Sequence, residues 1–198
     1  MSHAAVLLAG GKSSRMGRDK SALPVDGEPL WQRQLATLRA TDPAELFISG
    51  KSDGPYAKAG VEILADEFPD CGPLGGIATA LRRCKSERLL VLAVDMPAMT
   101  AGFLRTLVEE SQRTGKGVVP SVAADGMRRA NLEPLAAVYP RTALAVADEC
   151  LRVGEFKLEG FIRKLEASRL VSVSAVAEKD FALFMNWNEP EDLRRSAV

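Results

Sequence analysis

Short apolar runs alternate with amphipathic stretches along this chain, and this alternation limits its fold more than any other feature. The opening run, residues 4–9, is continuously apolar and ends at Gly10 and Gly11. The run at residues 88–94 is the clearest later example, and it ends at Asp95. Continuous apolar runs are typical of strands covered on both faces, as parallel strands are. The pattern therefore predicts an α/β fold with a mostly parallel sheet and helices on both faces.

The same patterning predicts the individual elements. The expected strands are residues 4–9, 45–49, 61–65, 88–94, 117–123, 134–139 and 170–176. The expected helices are residues 29–40, 73–84, a segment capped by Thr100 and ending near Thr114, and residues 143–153, 158–165 and 189–195. In sheets of this kind ligands bind beyond the carboxyl ends of the strands, so the residues that follow each strand are the candidate site residues.

Length and composition exclude several classes of protein. The 198 residues favour one domain, residues 1–198. Lys and Arg number 26 and balance 26 Asp and Glu, so no overall positive field attracts nucleic acid or an anionic membrane. Cys71, Cys84 and Cys150 are widely spaced, and His3 is the single histidine, which does not suit a zinc site or a disulfide scaffold. No apolar run is long enough to span a membrane, and we expect a cytoplasmic protein.

The segment after the first strand has the composition of a phosphate-binding loop. Residues 10–20 read GGKSSRMGRDK, in which two adjacent glycines are followed by hydroxyl and cationic side chains. Glycines let backbone amides approach an anion, and mobile cations add charge, so the string suits a triphosphate. Its spacing fits neither the Walker A loop nor the G-x-G-x-x-G dinucleotide loop. A basic surface turn is the alternative that the residues leave open.

Polar residues follow other predicted strands. Asp95 lies in V-D-M-P and Asp66 follows the strand at 61–65. A carboxylate at such a strand end suits a Mg²⁺ that bridges the protein and phosphate oxygens, although it also suits a turn or a helix cap. Asn186 and Asn188 are two residues apart, so on an extended segment their amides face one side. Asn188 is also placed to cap a following helix.

Four ordered blocks resemble the molybdenum cofactor guanylyltransferases. LAGGKSSRMGRDKSAL is similar to that family's L-A-G-G-x-S-x-R-M-G-x-D-K-x-x-L signature, and residues 66–76 match D-x-x-x-x-x-G-P-L-x-G. V-D-M-P matches a D-x-P motif, and residues 184–193 match F-x-N-x-N-x-P-x-D/E-L. The resemblance implies a three-layer, Rossmann-like nucleotidyltransferase fold of the glycosyltransferase-A type. It also implies a nucleotide-binding half, residues 1–100, and an acceptor-binding half, residues 101–198.

The resemblance also assigns roles to individual residues. It implies Lys20, Arg15 and Asp95 as catalytic residues, with Mg²⁺ held by Asp95. The residues it implies in nucleotide or acceptor binding are Leu8, Ala9, Gly10, Gly11, Ser13, Gly17, Asp66, Gly75, Asn186 and Asn188. Leu74 is expected to pack on the base, and the segment 131–140 is expected on the acceptor side. His3 receives no role.

The implied reaction is GMP transfer from GTP to the phosphate of molybdopterin or Mo-molybdopterin, with release of pyrophosphate. Cofactor-insertion proteins or molybdoenzymes are the implied protein partners. The sequence departs from the family after the second strand, where Ser49-Gly50-Lys51 replaces a nucleoside-holding Asn-Arg pair. Transfer from CTP, or to another small phosphate, therefore stays an alternative. A further alternative is a module that binds nucleotide or delivers finished cofactor without catalysis.

Overall fold

Strands and helices alternate as the sequence predicts. The computed structural model describes residues 2–10, 20–22, 24–25, 27–123 and 131–185, with the side chains of residues 20, 24 and 25 outside that description. The strands are β1 (Ala4–Leu8), β2 (Pro24–Val25), β3 (Glu28–Pro29), β4 (Glu45–Ser49), β5 (Glu62–Leu64), β6 (Arg88–Ala93), β7 (Gly117–Val122), β8 (Asn131–Leu132), β9 (Ala136–Pro140) and β10 (Val171–Ala175). The α-helices are α1 (Leu30–Arg39), α2 (Pro73–Arg83), α3 (Ala101–Thr114), α4 (Ala143–Arg152) and α5 (Leu158–Ala167). Lys20–Ala22 and Glu178–Phe184 are 3-10 helices.

One large sheet organises the molecule. Its strands follow the order β10-β7-β9-β6-β1-β4-β5, with β8 paired to β7. β1 pairs in parallel with both β4 and β6, β4 with β5, and β7 with β10. β9 is antiparallel to β6 and β7 and thus reverses direction in the middle of the sheet. The carboxyl ends of the parallel strands therefore meet at one edge, where β9 begins.

Helices cover both faces of the sheet, which gives three layers. Val6 of β1 packs into a core with α2, α4 and α5, whereas Leu7 packs into a second core with α1 and α3. All five residues of β1 and all six of β6 are buried, because alternate side chains enter opposite cores. This arrangement confirms the predicted mostly parallel sheet and explains why its central strands are continuously apolar.

The predicted helices within the described residues are confirmed, with ends that shift by a few residues. The Thr100 hydroxyl accepts a hydrogen bond from the Phe103 backbone N–H (3.3 Å), so the predicted cap of α3 is also confirmed. Gly115 ends that helix with a left-handed φ of 71°, a conformation that glycine adopts without strain. The predicted helix at residues 189–195 lies outside the described residues. The sequence did not predict β2, β3, β8 or the Glu178–Phe184 helix.

The amino-terminal histidine is part of the packed structure. His3 is 4% exposed, and its Nε2 lies 3.0 Å from the Thr41 Oγ1. Burial lowers the pKa of His3, opposed in part by the charge of Asp42. His3 was expected to be an unremarkable amino-terminal residue; instead it is buried, and it connects the residue before β1 to the turn that follows α1. No helix in the described ranges is long and apolar enough to cross a membrane.

Candidate active site

Several of the predicted site residues gather at the carboxyl edge of the sheet. Gly10 follows β1, Asp66 follows β5, and Asp95 follows β6. β6, β1, β4 and β5 are consecutive neighbours in the sheet, so these positions share one edge. Leu8 and Ala9 also lie there, but they are only 8% and 9% exposed and their side chains belong to the two cores. Their side chains are therefore not available to a ligand.

The turn that leaves β1 rests on the end of β4. The backbone N–H groups of Ala9 and Gly10 both donate to the Ser49 carbonyl, at 2.9 and 3.0 Å. A Cβ on Gly10 would lie 3.4 Å from the Gly50 Cα, so the two backbones are already in close contact. On the other side of β1, the Val94 N–H donates to the Leu8 carbonyl (3.1 Å). The start of the glycine-rich loop is consequently fixed by strands on both sides.

The remainder of that loop lies mostly outside the described residues. Gly11, Ser13, Arg15 and Gly17 fall in that segment, and Lys20 begins a 3-10 helix with its side chain outside the description. The predicted Asn186 and Asn188 also lie outside the described residues. The roles assigned to these residues stay predictions.

A buried tyrosine fills the space beside Gly50. The Lys51 N–H donates to the Tyr56 Oη (2.8 Å), and Tyr56 is 1% exposed. A Cβ on Gly50 would lie 2.7 Å from the Tyr56 Cζ and closer still to its Oη. The ring also meets Trp31 edge to face, with 6.5 Å between centroids. Tyr56 thus makes glycine obligatory at position 50, the position where the sequence departs from the family.

Asp66 and Gly75, two of the predicted binding residues, lie close together. The Asp66 Oδ1 accepts a hydrogen bond from the Phe68 N–H (2.9 Å). A Cβ on Gly75 would lie 2.9 Å from both Asp66 Oδ1 and the Phe68 carbonyl oxygen, so glycine lets this turn rest on the first turn of α2. Partial burial raises the pKa of Asp66, as do the charges of Asp70 and Glu67, against the lowering effect of the Phe68 hydrogen bond. An accepting carboxylate here can bind ribose hydroxyls or base N–H groups.

The expectation that Leu74 packs on the base is wrong. Leu74 is 0% exposed and belongs to the core between the sheet and α2. The physical reason is the close approach of α2 to β4: a Cβ on Gly76 would lie 2.7 Å from the Ser49 Oγ and 3.2 Å from the Leu8 Cδ2. At that distance the start of α2 lies on the sheet, and its leucine faces inward rather than toward the edge.

Asp95 is held at the centre of the edge by its neighbours. It is half-buried, and the residues before it are bonded on both sides: the Ala93 N–H donates to the Leu135 carbonyl (2.8 Å), and the Val94 N–H to Leu8. The Gln34 side-chain amide, on α1, donates to the Met96 carbonyl. This geometry fixes the backbone of the D-M-P turn and therefore the origin of the Asp95 side chain.

Gln34 is a functional candidate that was missed in the sequence. It is 0% exposed, and its Oε1 has no hydrogen-bond partner within the described part of the chain. The available signal is a glutamine within the apolar face of α1, which includes Trp31 and Leu38 at helical spacing. A buried amide costs free energy unless it is bonded, so its position against the D-M-P turn suggests a positioning role.

The donor set at this edge suits a metal ion that arrives with phosphate. Among the described residues no group of three or more His, Cys, Asp or Glu side chains is placed to hold a metal ion. Mg²⁺ commonly takes one or two protein carboxylates and completes its octahedron with substrate phosphates and water. The Asp95 carboxylate at the end of β6 fits that mode of binding.

Comparisons with known proteins agree with this geometry. A probable molybdenum cofactor guanylyltransferase of Opitutus terrae is 40% identical over 195 residues, which cover 97% of this chain and 93% of that protein. A protein of the same name from Haloferax mediterranei is 34% identical over 201 residues, covering 96% and 91%.

Solved structures show the same fold. The molybdopterin-guanine dinucleotide biosynthesis protein A of Archaeoglobus fulgidus superimposes with a TM-score of 0.75 at 24% identity, covering 98% of this chain and 96% of that one. The 2-C-methyl-D-erythritol 4-phosphate cytidylyltransferase of Thermus thermophilus gives 0.72 at 19% identity, covering 99% and 97%. The profile of the MobA-like NTP transferase domain matches residues 5–169. Together with relatives of this identity along nearly its whole length, that match shows that the chain belongs to the MobA-like NTP transferase family.

Proposed function

We propose that this nucleotidyltransferase transfers GMP from GTP to the terminal phosphate of molybdopterin, forming molybdopterin guanine dinucleotide and releasing pyrophosphate. The observation that carries the proposal is the arrangement of one edge. The fixed start of the glycine-rich loop lies directly beside Asp95, and the Asp66–Gly75 turn lies farther along the same edge. The names of the relatives supply the acceptor and the base.

The chemistry needs positioning more than it needs a nucleophilic side chain. A phosphate oxygen of the acceptor attacks the α-phosphorus, and the bond from that phosphorus to the oxygen of the β-phosphate breaks. The leaving electrons go to pyrophosphate, so no covalent enzyme intermediate is required. The protein must bring two anionic groups together and stabilise the charge that moves to the leaving group.

The residues divide these tasks. The hydrogen bonds from Ala9 and Gly10 to Ser49 fix where the glycine-rich loop begins. The backbone N–H groups beyond Gly10 bind the triphosphate, and Arg15 and Lys20 supply positive charge to the leaving pyrophosphate. Asp95 would hold Mg²⁺, which when bound offsets the repulsion between the reacting phosphates. Asp66 contacts the nucleoside, and Asn186 and Asn188 serve the acceptor or the metal. The division into halves at residue 100, the cytoplasmic location and the protein partners stay predictions.

The test is pyrophosphate release from GTP, Mg²⁺ and molybdopterin. We expect Asp95→Asn and Lys20→Ala each to reduce kcat by about a hundredfold or more, because each removes charge stabilisation at the reacting phosphates. Asp148→Asn is the matched control, since Asp148 lies on α4 and pairs with Arg82 at 2.6 Å. Full turnover by either site variant would contradict the proposal. Binding of GTP by the wild type without pyrophosphate release would instead favour the non-catalytic delivery module.

The Gly50–Tyr56 packing gives a specific reason to test CTP as a second donor. A side chain that holds the nucleoside after β4 is replaced here by glycine, and Tyr56 occupies the adjacent space. Base selection must therefore come from other groups along the edge. Turnover with GTP, CTP, ATP and UTP under identical conditions decides the matter, and a preference for CTP would replace guanylyl transfer by cytidylyl transfer.

A further inference from the structure

Glu133 lies at the same edge as Asp95, but in the other half of the sheet. Its N–H donates to the carbonyl of Pro120 on β7 (2.8 Å), and its own carbonyl accepts from the Ala136 N–H (3.3 Å) as β9 begins. β9 is antiparallel to β6, so its first residues adjoin the carboxyl end of β6. The bond from the Ala93 N–H to the Leu135 carbonyl fixes this adjacency.

The carboxyl group of Glu133 has the character of a ligand-binding group. It is half-buried, and its carboxyl group forms no hydrogen bond or ion pair with any residue in the described ranges. Burial raises its pKa to about 7. Carboxylates that only stabilise a fold are normally paired when water is withdrawn from them, because an unpaired buried charge is costly. Such a group at a ligand-binding edge indicates that its partner is a ligand.

The sheet order places Glu133 away from the nucleoside. β9 is one strand from β6, whereas β5, which leads to Asp66, is three strands from β6 in the opposite direction. With neighbouring strands about 4.8 Å apart, the Glu133 side of the edge and the Asp66 side are separated by about 19 Å. Asp95 lies between these two sides. An acceptor that reaches the nucleotide at Asp95 from the side opposite Asp66 therefore lies next to Glu133.

We propose that Glu133 binds the amidine edge of the acceptor's pterin ring, accepting hydrogen bonds from its 2-amino group and adjacent ring N–H. This inference rests on the proposed function, which supplies the pterin. Two parallel N–H donors match the two oxygens of one carboxylate, the geometry that makes such pairs selective. Guanine carries the same donor pair, so the experiment must separate the acceptor from the base.

The first experiment compares two rings that differ at this edge. Lumazine carries a carbonyl where pterin carries the 2-amino group, so it presents an acceptor to the carboxylate instead of a donor. Fluorescence titration of the wild-type protein should show pterin binding about tenfold or more tighter than lumazine, because a site built for a donor rejects an analogue without it. Glu133→Gln should bring the two affinities to within about threefold, since its amide offers only one acceptor atom.

Controls keep this titration interpretable. Glu166→Gln, an exposed residue of α5, should retain the wild-type preference. The Glu133→Gln side chain keeps its volume, and thermal unfolding checks that the variant folds. Glu133→Asp keeps the charge but retracts it, and it should also weaken the preference. Equal affinity of the wild type for both rings, or an undiminished preference in Glu133→Gln, would overturn the inference.

The second experiment separates the acceptor from the base by kinetics. With saturating Mg²⁺ and GTP, Glu133→Gln should raise KM for molybdopterin by about 10–100-fold, and KM for GTP should change by less than about threefold. A rise confined to KM for GTP would mean that Glu133 meets guanine, which overturns the inference. If the wild type releases no pyrophosphate at all, the proposed function fails, while the ring titration still decides the role of Glu133.

Discussion

The Gly50→Ala substitution is expected to be among the most damaging single-methyl changes in the protein. The new Cβ would lie 2.7 Å from the Tyr56 Cζ, 3.3 Å from its Cε2, and closest to its Oη. Carbon atoms in contact are normally about 3.5–4.0 Å apart, so the ring must move by about 1 Å or more. It has little room, because Tyr56 is 1% exposed and a Cβ on Gly54 would lie only 2.6 Å from its Cζ.

The magnitude follows from two costs. Overpacking a filled core costs about 1–3 kcal/mol, and separating the Tyr56 Oη from the Lys51 N–H adds about 1–3 kcal/mol for a donor left without its partner. We therefore expect Gly50→Ala to lower the free energy of unfolding by about 4 kcal/mol, a large share of the roughly 5–15 kcal/mol of a typical domain. The folded fraction should also bind GTP more weakly, because Gly10 rests on this backbone.

Urea denaturation of a double-mutant cycle tests the cause. In a Tyr56→Ala background the ring is gone, so Gly50→Ala should cost less than about 1 kcal/mol, which gives a coupling energy of about 3 kcal/mol. Gly102→Ala is the control, since its Cβ would meet nothing nearer than the Thr100 Oγ1 at 3.9 Å and it lies in α3. Additive effects in the cycle, or equal costs for Gly50→Ala and Gly102→Ala, would refute the steric explanation.

Three other substitutions test the site and its surroundings. Gln34→Leu removes the hydrogen bond to the Met96 carbonyl and also a buried oxygen without a partner among the described residues, so the free energy of unfolding should change by less than about 1 kcal/mol. Because the turn that carries Asp95 loses this support, kcat should fall about tenfold. An unchanged kcat in the pyrophosphate assay would contradict this prediction. Gly75→Ala should raise KM for GTP about tenfold, because the new methyl group displaces Asp66. An unchanged affinity for GTP, measured by calorimetry, would contradict this prediction. Burial raises the pKa of Glu133 from 4.5 to about 7, so the wild type should lose up to about 2 kcal/mol of stability as the pH rises from below 4.5 through 7, with solvent screening allowed for. Glu133→Gln should lack this loss. The free energy of unfolding of both proteins is measured by urea denaturation at pH 4.5 and pH 8, and an equal change in the two proteins would refute the prediction.

Much of the fold could be predicted from the sequence because burial on both faces leaves a direct mark. Residues 4–9 and 88–94 are apolar without interruption, and they form the two central strands β1 and β6. The direction of β9 left no such mark. Its residues are buried whether the strand is parallel or antiparallel, so its apolar pattern is the same in both cases.

The candidate site was predictable where chemistry follows a strand and not where it depends on packing. Asp95 follows β6 directly, and its position at the edge is confirmed. Leu74 was misassigned because a leucine beside glycines suits a base platform as well as a helix core. Tyr56 and Gln34 act through contacts with residues far along the chain, which spacing alone does not reveal.

The reversed strand β9 has a consequence for how such proteins diversify. A parallel strand brings only its last residues to the edge of the sheet that holds the candidate site. β7 ends at that edge and β9 begins there, so the connection between them starts and ends beside the site. Under the proposed function, a change in the length or sequence of that connection would alter acceptor binding, while β1, β4 and β5 would keep their positions in the sheet. One antiparallel strand would thus allow the acceptor side of the site to change in evolution while the nucleotide side is kept.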